Sequence, residues 1–77
     1  MPVAGAVVVP MSREYEDSIV DRLKRLPSVT VEGVGEKGIA IVLEAETAER
    51  LKEISEEINQ WEEVIEFELV YLNWEDM

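Results

Sequence analysis

The sequence predicts an α+β fold in which two βαβ halves interleave in one four-stranded antiparallel sheet, with both helices on one face. Three observations carry this reading. Four short segments have strand patterning and two have helical patterning, in the order βαββαβ. A shift of 35 residues superimposes the halves, carrying Ser12 onto Thr47, Ile19 onto Ile54, Leu23 onto Ile58, Leu26 onto Trp61 and Val7 onto Val42. The 77 residues are 47% apolar with only three prolines, which is too apolar for disorder and enough for one small core.

Val3–Val9 (VAGAVVV) reads as the first strand, a valine-rich run buried on both faces and closed by Pro10. Ser12 then offers an N-cap to a helix over 13–26. Its first turn holds Glu14, Glu16 and Asp17 and its last turn holds Arg22, Lys24 and Arg25, so both ends match the helix dipole. Tyr15, Ile19, Leu23 and Leu26 form its apolar stripe, and Pro27 stops it. Residues 29–32 alternate as a second strand, and the glycine-rich stretch 33–38 reverses the chain as a hairpin. Residues 39–45 make a third strand with its bulky side chains at Ile39, Ile41 and Leu43. Thr47 caps a second helix with the stripe Ala48, Leu51, Ile54, Ile58 and Trp61, while Glu49, Lys52, Glu53, Glu56 and Glu57 take the wet side.

Val64–Leu72 is the fourth strand, with Ile65, Phe67, Leu69 and Tyr71 facing one way and Glu66 and Glu68 the other. Residues 73–77 are expected to fray, and Trp74 there either covers the sheet loosely or meets a partner. The result is one ferredoxin-like domain over 1–77, with strand order 4-1-3-2 and right-handed crossovers.

Two helices cover only one face of such a sheet. Ile39, Ile41 and Leu43 are the bulky set of the third strand and point at the helices, and the internal echo sends Ala4, Ala6 and Val8 the same way. The open face then holds Gly5, Val7 and Val9, Ala40, Val42 and Glu44, Thr30 and Glu32, and Glu66, Glu68 and Val70. Val7, Val9, Ala40, Val42 and Val70 form a shallow apolar bed, and Glu32, Glu44, Glu66 and Glu68 fence it. A floor of glycine, alanine and valine lets a helix or extended peptide lie close, and the acids select basic residues in a salt-dependent way. The same face also suits a sheet-on-sheet homodimer or plain solvation.

Composition removes most chemistry. There is no cysteine and no histidine, so thiolate nucleophiles, disulfides, iron–sulfur clusters and the commonest general base and metal ligand are missing. Eighteen acids against seven bases give a formal net charge of −11, which repels phosphate backbones and anionic membranes and favours a basic partner. The longest uncharged run, Met1–Ser12, is too short and too broken by Gly and Pro to cross a bilayer, and it lacks a basic signal-like start. A soluble cytoplasmic protein is the expectation, with no cofactor, no nucleic acid partner and no enzyme activity. Residues 33–38 spell G-x-G-x-x-G, but between two strands the motif has no helix N-terminus to hold a pyrophosphate and reads as hairpin chemistry. No D-x-D-x-D-G loop is present; Glu66 and Glu68 share a face and bind a cation weakly at most. Ser12 and Ser18 have no base to activate them, and Arg13 alone makes a poor acylphosphatase-like anion cradle among so many acids.

The strand VAGAVVV, the Leu26-Pro27 stop before a hairpin, the turn glycine ahead of IAIVLEAE (39–46) and the LVY (69–71) of the last strand together resemble the NapD family, assembly chaperones of the periplasmic nitrate reductase. The resemblance spans nearly the whole chain. It departs at Glu63, where a glycine is usual, at Leu72, where a histidine is common, and in a shorter hairpin around 33–38. What the resemblance implies is a cytoplasmic, monomeric, non-enzymatic protein. Such proteins hold the twin-arginine signal peptide of a molybdenum-containing, Tat-exported reductase and delay its export until the cofactor is loaded. On that reading Glu32, Glu44, Glu66 and Glu68 pair with guanidinium groups, and Val7, Val9, Ala40, Val42 and Val70 bed the apolar stretch that follows. The alternative from another class is a small-molecule-sensing ACT-like module acting as a homodimer. Such modules often hold their ligand on a glycine-rich turn after the first strand, where this chain has Pro10-Met11-Ser12.

Overall fold

A computed structural model describes residues 2–73, with Asn73 described by its backbone alone. The elements are β1 (Val3–Pro10), a 3-10 turn (Arg13–Tyr15), α1 (Glu16–Lys24), β2 (Val29–Gly35), β3 (Gly38–Glu44), α2 (Ala48–Asn59) and β4 (Val64–Asn73). The strands form one antiparallel sheet in the order β2-β3-β1-β4, the ferredoxin-like arrangement. β1 and β3 are central, as the sequence predicts.

Small residues on β1 face large ones on β3, with Ala4 opposite Leu43 and Ala6 opposite Ile41, so the two strands fill one layer together. Against them pack Ile19 and Leu23 of α1 and Leu51, Ile54 and Ile58 of α2, all buried. Each such aliphatic contributes about 1.5–3 kcal/mol by leaving water. The burial of Ala4, Ala6 and Val8 puts them on the helix side and leaves Gly5, Val7 and Val9 on the other.

Local chemistry sets the helix ends differently from the expectation in one case. The Arg50 backbone N–H donates to Thr47 Oγ1 at 3.1 Å, the N-cap anticipated for α2. Ser12 does not cap in this way. Its carbonyl accepts the Tyr15 N–H at 3.1 Å, closing a 3-10 turn, and its buried hydroxyl has no hydrogen-bond partner among the described residues. The predicted helix over 13–26 is therefore a 3-10 turn followed by α1 over 16–24. Tyr15 is 38% exposed instead of lying on the stripe, because the tighter 3-10 winding rotates it off the line of Ile19 and Leu23.

Trp61, expected on the stripe of the second helix, packs against the core but is not fully buried. It lies beyond the end of α2, half-buried, with the Arg22 guanidinium 4.0 Å over its ring. Arg22 Nη1 donates to Glu63 Oε1 at 2.9 Å, so one arginine of α1 is held by a ring and a carboxylate from the α2–β4 connection.

The hairpin is shorter than the glycines suggest. β2 runs to Gly35 and β3 starts at Gly38, leaving only Glu36-Lys37 as the turn. Among the described residues positive φ occurs only at Gly38, at 140°. β4 contains the larger correction. Its register against β1 breaks twice, once skipping Ile65 and once skipping Val70. Val64 therefore turns inward while Ile65 is 64% exposed, not directed at the helices. Beyond Val70 the alternation reverses, so Tyr71 sits opposite Gly5 on the open face and Leu72 sits opposite Ala4 on the helix face. Asn73 ends β4 in register with Val3, and Trp74 and the rest of the tail, where fraying is expected, lie outside the described residues.

Candidate functional site

The open face is built from cross-strand rows. One row reads Thr30, Val42, Gly5 and Tyr71, and the next reads Gly33, Ala40, Val7 and Glu68. Beyond them Val9 stands opposite Glu66, and at the other end Glu44 stands opposite Val3. Glu32 is the extra residue at a register break between Val31 and Gly33, on the edge strand β2. Glu32 and Glu68 thus stand on opposite edge strands, about 14 Å apart at three strand spacings, with Ala40 and Val7 between them.

A shallow trough of about 530 Å³ runs along this surface. Of the nine predicted site residues, Val7, Glu32, Ala40, Val42 and Val70 line it. Val9, Glu44, Glu66 and Glu68 share the face but flank the trough. Sequence reasoning missed Tyr71, which lines the trough, and left out Gly5 as a site residue although it had been placed on this face. Tyr71, expected on the side of Ile65, Phe67 and Leu69 and away from Glu66 and Glu68, therefore lies on the open face. Two signals in the sequence mark the spot: a glycine within a strand interior, which often means a close approach, and four consecutive apolar residues Leu69-Val70-Tyr71-Leu72, which break strict alternation.

The charge on this face has no internal counterweight. Glu32, Glu44, Glu66 and Glu68 are exposed and make no ion pair among the described residues. The ion pairs found there join Arg22 to Glu63, Arg25 to Asp21 and Arg50 to Glu53, on the helices and the α2–β4 connection. Arg13, Arg22, Lys24, Arg25, Lys37, Arg50 and Lys52 all lie in helices or turns, and the strands contain none of the seven bases. Among the described residues no three acids cluster in a way that holds a metal ion.

A second depression, of about 270 Å³, lies between α2 and β4 and receives Phe67, Leu69 and Leu72. No carboxylate lines it, so it offers a cation nothing. Among the described residues, no helix is long and apolar enough to cross a membrane.

Comparison with known proteins agrees with this architecture. The crystal structure of a hypothetical protein, PHS023, from Pyrococcus horikoshii superimposes with a TM-score of 0.82, covering 99% of this chain and 93% of that one at 20% sequence identity. At that identity the likeness concerns the fold. No curated protein sequence matches the chain. The family model described as NapD protein matches residues 1–76, and the chain belongs to that family. The family is one of assembly chaperones in nitrate reductase maturation and is not a catalytic one.

Proposed function

We propose that this NapD-family protein binds the basic, twin-arginine signal peptide of a periplasmic nitrate reductase, or of a related Tat-exported redox enzyme, on its open sheet face. The observation that supports this most directly is the apolar trough beside four exposed glutamates that have no basic partner among the described residues. Adjacent guanidinium groups supply what those carboxylates lack, and an apolar peptide segment matches Val7, Val9, Ala40, Val42 and Val70. Charge-assisted pairs set register and reject acidic peptides, while apolar contact supplies most of the affinity.

The chaperone acts in the cytoplasm, as a monomer, before export. A helical segment lying in the trough buries on the order of 500–800 Å² of this face, the scale of a reversible complex. Reversibility suits the task, since the peptide must be released once the cofactor is loaded. The role is binding; no step of catalysis is assigned to the chain.

The test is a calorimetric titration of the full chain with a synthetic twin-arginine peptide, at low and at high ionic strength. Binding that weakens as salt rises is the expected result. No heat of binding at low ionic strength would overturn the proposal.

A further inference from the structure

We infer that Tyr71 makes the open face discriminate arginine from lysine, an inference that rests on the peptide-binding reading above. The register break at Val70 puts Tyr71 on the open face, half-exposed, with its ring over the backbone of Gly5 and lining the same trough as Glu32. Carboxylates alone attract either cation. A ring beside them favours the guanidinium, which is planar, weakly hydrated and stacks on aromatic faces, over the compact and strongly hydrated ammonium.

The chain already holds one arginine in this way. Arg22 lies 4.0 Å over the Trp61 ring while its Nη1 meets Glu63 at 2.9 Å, a guanidinium taken by a ring and a carboxylate together. The open face presents both parts of that arrangement on β4, Tyr71 with Glu68 in the next cross-strand row, and none of the seven bases lies on its strands. An incoming arginine from a basic peptide completes it, stacking on Tyr71 and pairing with Glu68 on the same strand, while Glu32 on the far edge is left to the adjacent guanidinium.

The experiment titrates the full chain with two synthetic peptides identical except that one carries Arg-Arg and the other Lys-Lys. The unaltered protein should prefer Arg-Arg. Tyr71→Phe should keep that preference, because the ring remains. Tyr71→Leu should weaken Arg-Arg binding by about two- to fivefold and Lys-Lys binding by less, so that the Arg-to-Lys ratio falls. In the complex of the unaltered protein, NMR should show the δ-methylene protons of one peptide arginine moved upfield by the ring. An unchanged Arg-to-Lys ratio in Tyr71→Leu, or no upfield shift in the unaltered complex, overturns the inference while leaving peptide binding intact. Binding of neither peptide by the unaltered protein overturns the binding reading, and this inference with it.

Discussion

The ring of Tyr71 occupies the space that a side chain at Gly5 needs: a Cβ built on Gly5 overlaps three ring carbons. Glycine in a central strand ordinarily weakens it, and here the neighbouring ring covers the bare backbone. Gly5→Ala should therefore push the half-exposed ring aside and cost less than the roughly 1–3 kcal/mol of overpacking a closed core. In a Tyr71→Ala background the same change should cost little, because the obstruction is gone. Urea unfolding of the four proteins in this cycle measures the coupling, and strict additivity would mean that the two residues do not share the space.

The unneutralised carboxylates of β4 give a second expectation. Glu66→Lys with Glu68→Lys should weaken a twin-arginine peptide by roughly tenfold at low salt, on the order of 1.4 kcal/mol for two charge pairs. Glu56→Lys with Glu57→Lys, an equal charge change on exposed positions of α2, should have a much smaller effect, carried only by the long-range field. Equal losses from the two double variants, read by the same titration, would move the site off this face.

Most of the fold was legible because few patterns were ambiguous. Ile39, Ile41 and Leu43 alternate with smaller or charged residues and set the face of β3, and the echo with β1 carried that parity to a strand whose own residues are apolar throughout. The candidate site was less legible at β4. Ile65, Phe67, Leu69 and Tyr71 recur every second residue, so period alone sends all four inward, whereas the pairing with β1 skips Ile65 and Val70 and reverses the two ends. Bulges depend on how two strands fit, which no single strand displays. The Ser12 cap failed for a related reason: the choice between a 3-10 and an α-helical first turn is decided by how the β1–α1 connection is tethered, including the Met11 N–H bond to the Glu63 carbonyl at 2.7 Å.

The glycines of the hairpin should separate by role. Gly38 has φ of 140° and a Cβ there would lie 2.6 Å from the Val8 carbonyl oxygen, so Gly38→Ala should destabilise by about 1–3 kcal/mol or more. Gly33 has open space where its Cβ would go and no positive φ, so Gly33→Ala should be neutral or stabilise by up to about 1 kcal/mol. Thermal or urea unfolding distinguishes the two. Comparable losses at both positions would contradict the assignment of the turn's strain to Gly38 alone.

Arg22 ties α1 to the start of β4 through Trp61 and Glu63. Removing the guanidinium with Arg22→Met, which keeps most of the aliphatic stem, should cost about 0.5–1.5 kcal/mol, the sum expected of a partly exposed pair and a ring contact. Trp61 fluorescence should report the loss of the cation over its ring, and a double variant with Glu63→Gln should be less than additive. Full additivity would show that ring and carboxylate do not hold the same group.

Salt dependence separates peptide binding from self-association, because the two respond with opposite sign. Two copies meeting through their open faces bring eight rim glutamates together, four from each, on chains of net charge −11. Screening removes that repulsion, so a face built for a homodimer should associate more strongly as ionic strength rises to roughly 1 M, where the Debye length is about 3 Å. A face built for a basic peptide should lose its partner over the same range. Light scattering should therefore give the 8.8 kDa monomer at low salt, and the peptide complex should form there and weaken above it. A stable dimer at low salt that twin-arginine peptide fails to dissociate would instead favour a regulatory module closed sheet on sheet.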